Sequence, residues 1–219
     1  MNIITRIENK RVTFNEAVDL NIEILSALKK YSVFTEVGET SKKMLPLQEI
    51  SREYVSQILA KQIKKDLLNK EDLNSSQIGF QLFLIAKTKG IKGYITMRFG
   101  TPEISGRDSV FIQIENNYGN DKFAEIMPEV RLFVYDLIRI ADPYKVVCSN
   151  YNLEQALDDR SCTFGYIMYN KSKLPNLKHE LLESYGKGLV WSSRLEDSRE
   201  AIQDVLELRN KLDVLALIV

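Results

Sequence analysis

Histidine is almost missing from this sequence, with one in 219 residues; tryptophan also occurs once and cysteine twice. A single His179 without a serine or cysteine in a strained turn supplies no nucleophile and base for a hydrolytic triad. Cys148 and Cys162 fall outside any C-x-x-C spacing, so neither a zinc site nor a disulfide framework is expected, and both read as reduced, partly buried thiols. Long apolar runs are lacking as well: no stretch reaches the roughly 18 residues of a membrane span. The opening "MNIITRIENKRVTF" has no signal-peptide core, so a cytoplasmic chain with no membrane contact is expected. Charge of one sign is not in excess. Lys and Arg number 30 against 30 Asp and Glu, so no overall field gathers polyanions, and nucleic acid is not expected as a direct partner without a local basic patch.

What remains is an ordinary supply of core material, with 44% apolar residues in a chain of 25.2 kDa. That is enough for one well-filled domain. "TFNEAVDLNIEILSALKK" (13–30) predicts a helix opened by a capping box, Thr13 at the cap and Glu16 three residues on, with Ala17, Val18, Ile22, Ile24, Leu25 and Leu28 along one face. "SREYVSQILAKQIKKDLLNK" (51–70) predicts a second, with Tyr54, Val55, Ile58, Leu59 and Ile63 inward and Lys61, Lys64 and Lys65 outward. Between them "VFTEVGETSKKMLP" (33–46) reads as a polar loop.

The period then changes. "IGFQLFLIAKT", "GYITMRFG" and "DSVFIQIEN" are aromatic and β-branched, joined by short polar or Gly-bearing links, and predict an antiparallel meander. "MPEVRLFVYDLIRIADP" (127–143) follows as a nearly all-apolar helix laid across the sheet, with Pro128 in its first turn and Asp142-Pro143 as its stop. "YKVVCS", "CTFGYIMYN" and "GKGLVWSS" read as further strands. "NLEQALDD" reads as a turn or two of helix, "NLKHELLESY" (176–185) as a short helix, and "EDSREAIQDVLELRNKL" as a closing helix with Asp197 and Glu200 in capping-box positions. No linker, repeat or low-complexity segment divides the chain. The expectation is a single α+β domain over 1–219, a largely antiparallel sheet with helices packed on one face, and a succession that suggests two similar halves.

No string carries catalysis. G-x-S-x-G, H-E-x-x-H, the Walker loop and the Rossmann fingerprint are all absent, so neither an enzyme nor a cofactor is expected. Acid pairs at Glu71-Asp72, Asp158-Asp159 and Glu196-Asp197 are placed where helix ends and loops recruit acids for capping. A small hydrolase using one such pair is one alternative. A binding module whose sheet meets nucleic acid or protein, suggested by the aromatics and Arg of "YITMRF", is another.

The order of elements adds a further reading. "IGFQLFLIA", "ITMRFG", "SVFIQIE", a helix ending in "ADP", "YKVVCS", and "FGYIMYNKSKLPNL" before "GKGLVW" resemble the immunity protein 52 family of bacterial polymorphic toxin systems, over nearly the whole chain. The most specific pieces are Gly165, Tyr166 and Tyr169, the Leu174-Pro175 that follows, Gly188, and Asp142-Pro143. The family often has Trp where Tyr166 stands. The resemblance implies a cytoplasmic α+β inhibitor without catalytic residues, whose partner is a cognate protein toxin, commonly a nuclease, delivered by a secretion system such as type VI. It implies a preformed surface that occludes the toxin. Acids in "TPEISGRD" (101–108), "ENNYGND" (115–121) and around 158–159 would steer toward a basic cleft, which makes Glu103, Asp108, Glu115, Asp121, Asp158 and Asp159 the candidate toxin-binding residues.

Overall fold

Thr13 caps the first helix as its residue type and spacing require. Its side chain accepts from the Glu16 backbone N–H at 3.3 Å, and the Glu16 carboxylate accepts from the Thr13 N–H at 2.6 Å. The helix, α1, runs Phe14–Lys30 and buries Ala17, Val18, Ile24, Leu25 and Leu28. It follows a strand, β1 (Asn2–Arg6). In this computed structural model the described residues are 1–68, 79–88, 91–101, 107–115, 121–157, 165–171, 182–193 and 198–214.

Residues 33–46 are not a loop. β2 (Glu36–Thr40) and β3 (Lys43–Pro46) form a hairpin whose first strand pairs with a later one, Val37 opposite Ala86. Gly38 breaks the apolar alternation here because a Cβ would run into the Lys43 carbonyl. A 3-10 turn at Leu47–Glu49 leads to α2 (Arg52–Leu68), where Val55, Ile58 and Leu59 are buried and Lys61 reaches Glu39 at 2.7 Å.

The meander is present: β4 (Phe80–Thr88), β5 (Ile91–Phe99) and β6 (Ser109–Glu115) pair in sequence, all antiparallel. α3 (Asp121–Ala141) begins six residues before the expected start, so Pro128 lies inside the helix and not in its first turn. Its buried side is Val130, Phe133, Val134, Leu137 and Ile138, and it ends where Asp142 takes a φ of 43°. β7 (Lys145–Ser149), α4 (Tyr151–Leu157), β8 (Ile167–Asn170), β9 (Leu182–Tyr185), β10 (Gly188–Ser192) and α5 (Ser198–Val214) complete the described chain. The expected helix at 176–185 is corrected in its last four residues, which pair with β10 as strand. His179 and Asp197 lie outside the described residues.

The described strands form one sheet of ten in the order β3-β2-β4-β5-β6-β1-β7-β8-β10-β9, and every pairing among them is antiparallel. The fold is α+β. β1 is the seam: the strands of the first half lie to one side of it and those of the second half to the other. α1, α2 and α3 cover the front face over a large core that takes Ile3, Leu84, Ile95, Ile112, Cys148, Ile167 and Tyr169. Side chains alternate across a strand, so Tyr166, Met168 and Trp191 point to the rear. There α4 and α5 bury them with Leu153, Leu157, Ala201, Val205 and Leu208. The single helix-covered face expected from the sequence thus gains a second layer behind β8 and β10. The aromatic stretch at 165–169 is an inner strand, and Trp191 on its partner strand is core. No helix among the described residues is long and apolar enough to cross a membrane.

Candidate functional site

Among the described residues, helices cover the rear face at one end only. Register carries a single row of side chains across seven strands, Phe83, Thr96, Phe111, Ile4, Val147, Met168 and Trp191, each opposite the next. At the Trp191 end helices bury the row. At the other end Phe83 is 45% exposed, and Thr96, Phe111 and Ile4 are half-buried. The Phe83 ring stacks on Tyr94, centroids 6.0 Å apart and planes 24° apart. Tyr94 and its partner Ile85 belong to the neighbouring row on the same face.

Two polar rows border this apolar strip. On one side Gln81, Arg98, Ser109, Arg6, Lys145 and Asn170 stand opposite one another in turn, three cations and no carboxylate. Arg98 donates to the neutral Gln81 amide at 2.9 Å, and Arg6 is exposed. On the far side Lys87 and Lys92 are opposed in register by Glu36 and Glu115, so that border is balanced. A separate cluster of cations surrounds Asp142, just past the end of α3. Lys171 and Lys187 each reach the Asp142 carboxylate at 3.2 Å, and Lys10 stands 4.0 Å away. Burial alone would push the Asp142 carboxyl up, but hydrogen bonds from Lys171 and Lys187 outweigh it and hold it below the ordinary carboxylate range. Along one border of the half-exposed strip Arg98, Arg6 and Lys145 thus follow one another with no carboxylate in register with them.

Of the acids expected to face a partner, only Asp108 and Glu115 have side chains among the described residues. Asp108 turns inward and is 1% exposed. Its carboxylate accepts from the backbone N–H groups of Thr101 at 2.7 Å and Gly100 at 3.0 Å, while its own N–H donates to Asn9. It closes the turn after β5 and is withdrawn from any contact surface, because a carboxylate engaged by buried backbone donors has no face left for solvent. Glu115 sits half-buried at the end of β6 opposite Lys92. Asp121 opens α3, its side chain outside the described residues, and Glu103, Asp158 and Asp159 lie outside them altogether. The sequence reading raises Tyr94 and Arg98 only within "YITMRF", as part of the nucleic-acid- or protein-binding alternative, and passes over Phe83, Phe111 and Arg6 as binding residues. The signal that could have found them is the alternation of Tyr94, Thr96 and Arg98 on one side of β5, too polar for a core face and too aromatic for a plain solvent face.

No family model and no curated protein matches the chain. Four chains of solved structures match. Among the solved structures it is similar to is the Pseudomonas aeruginosa T6SS protein PA0821, at 10% identity, with 93% of this chain and 75% of that one covered and a TM-score of 0.44.

Proposed function

We propose that the protein is an immunity protein that binds a cognate secreted toxin and neutralises it by occluding its active site, the toxin being a nuclease. The observation that supports a protein-binding role is the half-exposed strip led by Phe83, Phe111 and Ile4 on a sheet whose other face packs a large core under α1, α2 and α3. Such a strip is rigid before contact, so little conformational entropy is lost on binding. It spans β4, β5, β6 and β1, roughly 15 Å at the ordinary spacing between strands. That width suits an interface of standard size, about 800 Å² on each partner. The resemblance of the strand and loop motifs to immunity proteins supplies the class of partner.

Co-expression with the product of the adjacent upstream gene tests the reading. Host survival together with a one-to-one complex on a sizing column is expected. Absence of both rescue and complex overturns it.

A further inference from the structure

The same row of side chains is treated in two ways along its length. Behind β8 and β10 it is covered by α4 and α5, whose Val205 and Leu208 pack with Trp191 and Met168. Beyond β1 the row continues through Ile4, Phe111 and Phe83 with nothing among the described residues buried against it, although its composition is that of a covered surface. An apolar strip bordered by polar groups marks an interaction site. Its borders differ in charge: Arg98 and Arg6 run along one side with no carboxylate in register with them, whereas Lys87 and Lys92 on the other are matched by Glu36 and Glu115.

We propose that the uncovered rear half of the sheet is the recognition surface, and that the toxin presents to it an apolar ridge flanked on one side by carboxylates. This rests on the immunity reading and fixes its geometry: contact is made by strands β4, β5, β6 and β1, with cations on this chain and acids on the partner. The acid-bearing loops are then bystanders. A protein fits the strip better than nucleic acid does, because a base-stacking platform needs open ring faces. Phe83 and Tyr94 are instead stacked on each other, and Phe111, Ile4 and Thr96 are half-buried. Arg6 and Arg98 set the approach and register of the partner, while Phe83 supplies the exposed anchor that a contact centre requires.

The probe is the purified product of the adjacent upstream gene, with association and dissociation rates measured at low and high salt. Phe83→Ala is expected to weaken binding at least about tenfold through faster dissociation. The double variant Arg6→Glu with Arg98→Glu is expected to slow association about tenfold at low salt, an effect that fades at high salt. Glu115→Lys is expected to leave association unchanged or hasten it. Circular dichroism confirms that each variant is folded. Hydrogen exchange on the wild-type complex, with protection expected over β4 to β6, provides a readout free of substitutions. Wild-type-like affinity in the Phe83 and Arg variants, with no protection of those strands, overturns the surface while the immunity reading stands. Slower association in Glu115→Lys overturns the charge assignment. Tight, salt-sensitive binding of a labelled oligothymidine lost in the same variants replaces the protein partner with nucleic acid. Failure of the wild-type protein to bind the probe or to rescue the host sinks the immunity reading, and this inference with it.

Discussion

The Asp108 carboxylate accepts the backbone N–H of Thr101 at 2.7 Å, with both residues buried. With the Gly100 N–H at 3.0 Å on its second oxygen, it ties the link between β5 and β6 to the core. Asp108→Ala orphans these donors and is expected to cost about 2–4 kcal/mol. Thermal denaturation checks it: a melting point unchanged from wild type would remove Asp108 from the supporting structure.

Asp136 on α3 gives a pH dependence. Burial works to raise its carboxyl, but hydrogen bonds from Lys30 and Tyr31 prevail and hold it below the usual range. A group whose folded pKa is depressed adds stability above its unfolded value, about 3.9, and loses it as the pH falls through the folded value. Wild-type stability is expected to decline below about pH 4 as the carboxylates are protonated. Asp136→Asn should be less stable at neutral pH and show a shallower acid limb. Urea midpoints across that range decide it, and parallel acid limbs for the two proteins would contradict the account.

Two glycines separate contact from conformation. A Cβ on Gly165 would strike the Cys148 carbonyl and the Val147 side chain where β8 begins beside β7. Gly186 meets nothing within 4 Å but has a φ of 55°. Gly165→Ala is expected to cost about 1–3 kcal/mol through overpacking. Gly186→Ala costs about 1 kcal/mol through backbone strain alone. Melting points in the opposite order would mean that the approach of β8 to β7 relaxes freely.

Trp191 is 2% exposed and anchors the rear cluster with Tyr166, Leu153 and Val205. Trp191→Ala is expected to cost about 3–5 kcal/mol. Trp191→Phe removes an indole N–H that has no acceptor among the described residues and is expected to cost less, about 1–2 kcal/mol. Denaturant midpoints rank the pair; equal and small losses would show that α4 and α5 stay docked without the ring.

The capping box at Thr13 and Glu16, the apolar faces of α1 and α2, the β4 to β6 meander and the α+β class are all legible in the sequence because each is local. A cap needs a spacing of three, a helix face a period near four, and a strand a period of two. The elements that escaped are those whose pattern is interrupted for tertiary reasons. Gly38 and Pro46 hide a hairpin stabilised by pairing with β4, about 50 residues away in sequence. Pro128 suggests a helix start because its missing N–H fits there best, yet α3 continues through it. Residues 182–185 carry no strand alternation of their own and become strand by pairing with β10.

The candidate site divides in the same way. The sequence by itself determines that β5 carries Tyr94, Thr96 and Arg98 on one side and Ile95 and Met97 on the other, because successive side chains alternate. Only the tertiary structure decides that Phe83, Phe111 and Ile4 share the first of those sides, that Arg6 and Lys145 continue its charged border, and that the described helices leave this half of the face uncovered. Register between strands far apart in the chain is set by packing across the whole sheet, and no local period encodes it. Asp108 shows the converse: its composition and loop setting suit a surface acid, and the backbone donors that fold around it draw it inside.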